Sequence, residues 1–161
     1  MSVVVPYYFG RQYHEAIKKL RETIEMEPDF FAPHLLLGWT YEQTGEFSKA
    51  IAEFETVLQL RNNSQTLAYL GHAYAVAGKG DEARKVLDKL KVRLERGDHV
   101  PSLTMAIIYT GLGDKDQAFE WLEKARKNRS EDLIFLKVDP KFDTLRADPR
   151  FSALLAKMGF E

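Results

Sequence analysis

The 161-residue chain contains no cysteine. It can therefore form neither disulfide bonds nor thiolate metal sites. No apolar run approaches the ~20 residues that a membrane-spanning helix needs. The first residues, MSVVVPYYFG, lack the basic start and the long apolar core of a secretory signal peptide. Together these absences predict a soluble, cytoplasmic protein.

The chain also lacks an excess of basic charge. It has 23 Lys and Arg residues against 24 Asp and Glu residues, which gives a formal net charge of -1. A general surface for nucleic acid or for anionic lipid carries a clear basic excess. We therefore expect neither nucleic acid nor a membrane as a partner. Hydrophobic residues make up 45% of the chain, an ordinary share for a folded protein.

Histidine is scarce and dispersed. No two of the four histidines stand three or four residues apart, so no helix presents a two-histidine metal face. We expect each of them to have a structural or surface role, and we predict no metal site. The histidines are His14, His34, His72 and His99.

No arrangement of residues typical of catalysis or cofactor binding is present. Asp139, Asp143 and Asp148 cluster beside two prolines, and we interpret them as helix caps rather than as an acid–base pair. Gly-Lys-Gly at 78–80 lacks the further spacing of a phosphate loop, and we interpret it as a turn. The sequence therefore predicts no catalytic residue and no cofactor, in a protein that is not an enzyme.

What the chain does contain is a helical hairpin pattern, which is clearest over residues 31–60. Apolar residues recur there at helical spacing on both sides of a turn at Thr44-Gly45. Gly45 can adopt the left-handed conformation that ends a helix. Gly38 and Ala50 are small, which lets two antiparallel helices approach closely while bulkier neighbours fill the space around them. The stretch predicts two helices joined by a tight turn.

The same pattern returns along the chain in steps of 33 to 35 residues. Five positions keep step, and a period in this range indicates stacked repeats. In the first helix, the aromatic position is filled by Tyr7, Tyr41, Tyr74 and Tyr109, and the small position by Gly38, Gly71 and Ala106. In the second helix, the small position is filled by Ala16, Ala50, Ala83 and Ala118, and the large position by Leu20, Phe54, Leu87 and Leu122. The turn between the two helices has Arg11, Gly45, Gly78 and Gly113.

These residues resemble the tetratricopeptide repeat, whose first helix carries L-G-x-x-Y and whose second carries Ala and then a large apolar residue. The chain has LGWTY at Leu37–Tyr41 and LGHAY at Leu70–Tyr74, and Pro28 follows the first copy. The first copy departs from the pattern, because it has only a stub of its first helix. The resemblance implies an all-α fold, a right-handed superhelical stack of antiparallel helix hairpins.

We expect a single domain over residues 1–161. Its parts are a partial repeat at about 1–30, repeats at 31–63, 64–97 and 98–130, and C-terminal capping helices at 131–161. Ser64 and Asp81 are the predicted N-caps of the helices Gln65–Ala77 and Asp81–Glu95.

After Asn128 the period fails. Asp139-Pro140 and Asp148-Pro149 each predict an N-cap followed by proline at the first helical position, with short helices at Lys141–Arg146 and Arg150–Met158. A helical stack exposes apolar surface at its last repeat, and this segment is expected to cover it.

The stretches Gly113–Ala125 and Leu136–Phe160 resemble the C-terminal end of repeat regions in long bacterial proteins. In those proteins the repeats follow an effector such as a protein kinase, a nucleotide cyclase or a winged-helix regulator. The resemblance implies a module of a bacterial signalling or regulatory protein. The apolar stub Val3–Phe9 leaves two hypotheses open: the natural protein continues upstream, or this end mediates a homodimer.

A stack of helical hairpins has an inner surface lined by the first helix of each hairpin. The lining expected here is mostly apolar and has no Lys, Arg or Asn, so it does not suit the mode in which some family members bind the C-terminal carboxylate of chaperone tails. We predict a scaffold that binds an apolar peptide or helix of a protein partner. Trp39 is the candidate anchor, unless it simply packs between repeats. The family's groove-facing positions fall on Val5, Phe9, Leu35, Trp39, Gln43, Ala68, His72, Val76, Leu103 and Ile107.

Overall fold

The computed structural model of the protein describes residues 5–160, which are helical without any β-strand. The predicted all-α repeat fold is confirmed. The α-helices are α1 (Val5–Phe9), α2 (Tyr13–Met26), α3 (Phe31–Gln43), α4 (Phe47–Leu60), α5 (Ser64–Val76), α6 (Gly80–Glu95), α7 (Ser102–Leu112), α8 (Lys115–Lys127) and α9 (Pro149–Lys157), and two 3-10 helices span Glu131–Phe135 and Pro140–Leu145.

The α-helices pair in sequence as hairpins, α1 with α2, α3 with α4, α5 with α6 and α7 with α8. Neighbouring hairpins contact each other through α2 and α3, α4 and α5, and α6 and α7. The first helices also touch along the stack, α1 with α3, α3 with α5, and α5 with α7. These four helices share one surface, which we call the groove.

The turns within the hairpins follow the predicted chemistry. Gly45, Gly78 and Gly113 have φ angles of 77°, 77° and 75°, in the left-handed region that favours glycine. Arg11 stands at the same position of the first copy and has a φ of 59°. A residue with a side chain adopts this conformation at a cost of roughly 1–2 kcal/mol. The repeat geometry is therefore kept in the first hairpin even without glycine.

The small first-helix residues allow close approach of a neighbouring helix, which is α4 at Gly38 and α7 at Gly71. A methyl group added at Gly38 would lie 2.5 Å from Cε1 of Phe54, whose ring is completely buried. At Gly71 it would lie 2.9 Å from Cδ1 of Ile108. The rings and branched side chains of the core thus pack directly on helix backbone at these two positions.

Two predicted N-caps are wrong, that of α5 by one residue and that of α6 by two. The cap of α5 is Asn63, whose side-chain oxygen accepts the backbone N–H of Thr66 at 2.8 Å. Ser64 is instead the first residue of that helix. α6 begins at Gly80, so Asp81 lies inside its first turn and no side chain caps it.

Both predicted Asp-Pro caps are confirmed. The carboxylates of Asp139 and Asp148 accept the backbone N–H groups of Lys141 and Arg150, each at 3.0 Å. The first of these segments is a 3-10 helix rather than an α-helix, and the second begins α9.

The segment 131–160, which we call the tail, belongs to the main hydrophobic core. Its helix α9 packs on α8, and its second 3-10 helix packs on α7. Six of its large apolar side chains are at most 4% exposed, so the tail is an integral part of the fold. These side chains are Leu133, Leu136, Phe142, Leu145, Phe151 and Leu154.

Candidate functional site

The groove is partly filled by the chain itself. The first half of the tail lies across it, with the rings of Phe9 and Phe135 stacked at a centroid distance of 5.2 Å. On α5, the side-chain amide of Gln65 donates to a carboxylate oxygen of Asp132 at 3.2 Å. The tail therefore forms one wall of the predicted binding surface.

The tail also reaches the first hairpin. The guanidinium of Arg11 binds both carboxylate oxygens of Asp143, at 2.8 and 3.0 Å, and Arg146 donates to the same carboxylate at 2.7 Å. Burial acts to raise the pKa of Asp143, but the hydrogen bonds from the two arginines outweigh it and the pKa is lowered. Asp143 thus stays ionised and joins the two ends of the described chain.

Lys141 is the most unusual residue of this contact, because it is only 4% exposed. Its ammonium lies 3.2 Å from each oxygen of Asp139 and donates to the hydroxyl of Tyr8 at 3.1 Å. It also lies 4.3 Å from the ring centre of Trp39 and 5.4 Å from that of Tyr69. A buried ammonium is costly unless it is paired, and here a carboxylate, a hydroxyl and aromatic faces compensate it.

Tyr8 and Tyr69, the two tyrosines around the Lys141 ammonium, remain neutral. Burial raises the pKa of Tyr8 well above its ordinary value, and the negative charges of Asp139 and Glu42 add to the effect. Burial likewise raises the pKa of Tyr69. The hydroxyl of Tyr8 is then free to accept from the ammonium and to donate to Asp139, at 3.4 Å.

Between the first helices and the tail a cavity of about 260 Å³ remains. Its wall is apolar apart from one amide and two carboxylates. The lining residues are Val5, Phe9, Phe31, Ala32, Leu35, Leu36, Trp39, Gln65, Tyr69, Leu103, Ile107, Asp132, Phe135, Leu136, Asp139 and Phe142.

The ten predicted groove residues fall into three places. Six of them line the cavity, namely Val5, Phe9, Leu35, Trp39, Leu103 and Ile107. Gln43, His72 and Val76 line a separate hollow of about 210 Å³, which the tail closes with Pro140, Lys141 and Thr144. Ala68 is fully buried in the core and lines neither space.

Trp39 packs between repeats and also lines the cavity, and its role as an anchor for a partner stays a prediction. Its ring lies 5.0 Å from the ring of Tyr69 in the next hairpin and 5.6 Å from that of Tyr8, so it packs between repeats. It also lines the cavity. Its indole N–H is buried and has no hydrogen-bond partner among the described residues.

His72 and His34 are held by carboxylates rather than offered to a ligand. Nδ1 of His72 lies 2.9 Å from Glu42, and this buried pair joins α5 to α3. Nδ1 of His34 lies 2.6 Å from Glu53, and its Nε2 lies 2.8 Å from the carbonyl oxygen of Pro28. Over residues 5–160 there is also no group of three His, Asp or Glu side chains placed to hold a metal.

Sequence reasoning missed the tail residues of the site. Asp132, Phe135, Asp139 and Lys141 all face the groove, although they lie beyond the last repeat. The available signal was the apolar segment 133–138, which continues after the period fails. Nothing in the local pattern indicates that a lysine next to an Asp-Pro cap is buried.

Comparison with known families supports the repeat assignment. Two family models, both described as tetratricopeptide repeat, match residues 11–68 and 103–129 and together cover just over half of the chain. The chain is a tetratricopeptide repeat protein. Over 53 residues this repeat protein is 42% identical to anaphase-promoting complex subunit 3 of Dictyostelium discoideum.

That match covers 33% of this chain and only 6% of the relative. Both family matches end before the tail begins. The tetratricopeptide repeat identifies the protein as a protein-interaction scaffold, and it leaves the partner open. None of the helices over residues 5–160 is long and apolar enough to cross a membrane.

Proposed function

We propose that this tetratricopeptide repeat protein is a non-catalytic scaffold that captures an apolar side chain of a partner peptide or helix in the cavity of its groove. The observation that supports this proposal is the cavity itself, which has almost entirely apolar walls. Its volume of about 260 Å³ lies just below the ~300–1,000 Å³ typical of small-molecule sites. It suits one large apolar side chain better than a whole cofactor.

The tail restricts how such a partner binds. Because residues of the tail lie across the groove, an extended peptide does not have the full length of the surface available. The partner instead inserts an anchoring side chain at the mouth of the cavity. Phe31, Leu35 and Phe135 are accessible there, and Phe135 is 41% exposed. Anchors of this kind carry most of the energy of an interface.

Selection of peptides from a random phage-displayed library tests the proposal. We expect selected peptides to share one large apolar residue and to bind the Leu35→Glu variant about 30-fold more weakly, which corresponds to a hot-spot loss of ~2 kcal/mol. Leu60→Glu is the matched control, because Leu60 is 41% exposed and lies outside the cavity. Peptides that bind both variants equally well would place the binding surface elsewhere.

The regulatory role is a second part of the proposal. The resemblance of the tail to repeat regions of bacterial signalling proteins supports a place at the end of a larger regulatory chain. Sequencing the reading frame upstream of Met1 tests it. A kinase, cyclase or winged-helix domain in frame would support this role, and an in-frame stop codon directly upstream would contradict it.

Homo-oligomerisation through the N-terminal stub is the alternative, and it has less support. Val3 and Val4 lie outside the described residues. Tyr8 is completely buried against the chain's own tail, and Phe9 stacks on Phe135. Light scattering coupled to gel filtration separates the two functions, since the scaffold alone predicts a monomer at high concentration and the alternative predicts a dimer.

A further inference from the structure

A third hollow is lined by residues of α4, α5 and α6 and of the linker after α4. Its volume is about 740 Å³, and none of its lining residues lines the cavity of the groove. We call it the basic cleft, because one of its walls carries Lys85, Lys89, Arg93 and Arg96. The first three stand four residues apart and therefore lie on one face of α6.

The cations of the cleft are not neutralised by the described part of the chain. Lys85, Lys89 and Arg96 have no ion-pair partner between residues 5 and 160, and Arg93 donates only to the neutral oxygens of Ser64 and Asn62, at 3.1 and 3.0 Å. The cleft is therefore strongly positive, although the whole chain has a formal net charge of -1.

One carboxylate does line the cleft, and it is partly engaged elsewhere. Asp88 lies 4.0 Å from the ammonium of Lys91, which is not part of the cleft lining. A single carboxylate against four cations leaves a clear local excess of positive charge.

The stability of α6 accounts for only part of this arrangement, because Asp81 stands four residues before Lys85 at a favourable spacing, whereas no acidic residue stands three or four positions from Lys89. Like charges four residues apart on a helix destabilise it by roughly 0.2–0.5 kcal/mol for each pair. Cations near the end of a helix are favoured by its dipole, which accounts for Arg93 and Arg96. Lys85 and Lys89 stand in the middle of α6, so this effect does not apply to them.

The floor of the cleft is apolar. Leu58, Leu67 and Val92 line it, Leu67 being buried and Val92 42% exposed. No aromatic ring lines the cleft, so it offers no stacking platform of the kind that single-stranded nucleic acids use. Cations around an aliphatic strip instead match a protein segment that combines carboxylates with aliphatic side chains.

We propose that the basic cleft docks an acidic amphipathic segment of a partner protein. The carboxylates of the segment pair with Lys85, Lys89 and Arg96, and its aliphatic face covers Val92. This site is independent of the groove, so the scaffold has two separate docking surfaces.

Fluorescence anisotropy with a labelled acidic peptide tests the proposal. The probe is a helical peptide of about 16 residues, with Leu on one face and Glu elsewhere, at i, i+3 and i+4 spacing. We expect binding that weakens with added salt. The charge-reversal variant Lys85→Glu/Lys89→Glu should weaken it at least about 10-fold, and Val92→Ser about 3-fold or more.

Two controls make the result specific. Lys18→Glu/Lys127→Glu changes the net charge by the same amount at exposed positions outside the cleft, and should bind the probe as the unaltered protein does. Leu35→Glu should also leave this binding unchanged, so that failure of the groove proposal and failure of the cleft proposal are distinguishable. Lys85→Gln/Lys89→Gln, checked for folding by circular dichroism, keeps the test valid if charge reversal disturbs α6.

Three outcomes would overturn the proposal. One is the absence of binding at low salt. Another is an equal loss in the Lys18/Lys127 control, which would show a response to net charge alone. The third is equally tight binding of a single-stranded oligonucleotide of about 20 nucleotides with no effect of Val92→Ser, which would make the cleft a non-specific polyanion surface.

Discussion

The ammonium of Lys141 lies 4.3 Å from the centre of the Trp39 ring. The lysine comes from the tail and the tryptophan from α3, so the contact fixes the tail inside the groove. One face of the residue predicted as the anchor for a partner is thereby already taken by the chain's own cation. Any partner has to use the part of Trp39 that borders the cavity.

The buried Lys141–Asp139 pair gives the first prediction. Lys141→Ala removes the cation and leaves a mostly buried carboxylate without its partner, so we expect a loss of about 3 kcal/mol in the free energy of unfolding. Urea denaturation followed by circular dichroism measures it. Lys157→Ala is the control, because its exposed ion pair with Glu123 is worth under about 1 kcal/mol.

A rescue variant separates charge from packing at this pair. Lys141→Met/Asp139→Asn removes both charges and retains an oxygen that can cap the 3-10 helix. It should recover a large part of the lost stability. A double variant as unstable as Lys141→Ala would show that the pair does not stabilise the tail through its charges.

The repeat glycines have two different functions, and two alanine variants distinguish them. The methyl group added by Gly45→Ala contacts no neighbouring atom, so the only penalty is the backbone strain at a φ of 77°. This strain destabilises the protein by about 1 kcal/mol. Gly38→Ala places a methyl group 2.5 Å from the Phe54 ring, and overpacking of this kind costs about 1–3 kcal/mol. The melting temperature of Gly38→Ala should therefore be lower than that of Gly45→Ala. The reverse order would contradict the role of Gly38 in the close approach of the two helices.

Arg11 combines a strained backbone with a useful side chain. Arg11→Gly relieves the strain but loses the half-exposed ion pair with Asp143, so its stability should stay within about 1 kcal/mol of that of the unaltered protein. Arg11→Ala loses the ion pair and keeps the strain, and it should be less stable than Arg11→Gly by ~1 kcal/mol. Chemical denaturation of the two variants measures the difference, and equal values would mean that the turn is not strained.

Acid should weaken the start of α9. Hydrogen bonds from the Arg150 side chain, and then from its backbone N–H, lower the pKa of Asp148 to about 2, below the ~3.9 of an unfolded Asp. The stability that this charge provides is complete above the unfolded pKa and is lost as the pH falls toward about 2.

Melting curves between neutral pH and about pH 2 check this behaviour. Asp148→Asn keeps a capping oxygen but has no charge to titrate. Its melting temperature should be lower than that of the unaltered protein at neutral pH, and it should fall less on acidification. Arg150→Gln, which removes the partner, should flatten the profile in the same way. Parallel profiles for all three proteins would exclude Asp148 as a source of acid sensitivity.

The hairpins could be predicted from the sequence because their determinants are local. Apolar spacing, turn glycines such as Gly45, and the Asp139 and Asp148 caps each act within a few residues. The N-cap of α5 was misplaced because Asn63 and Ser64 are both good caps, and only the course of the backbone selects between them.

The composition of the groove could be predicted only in part. Positions such as Leu35 and Leu103 follow from the family register. The register does not show that His72 pairs with Glu42, or that Ala68 packs into the core, because these depend on contacts between hairpins. The position of Lys141 depends on residues more than 100 positions away, and no periodic pattern carries that information.

The bond between Arg11 and Asp143 bears on how the molecule comes apart. In an open repeat array each unit touches only its neighbours, so the terminal units fray independently. Here the first hairpin and the tail contact each other, so unfolding of either one removes contacts that stabilise the other. Such a molecule should melt in one concerted step rather than peel away hairpin by hairpin.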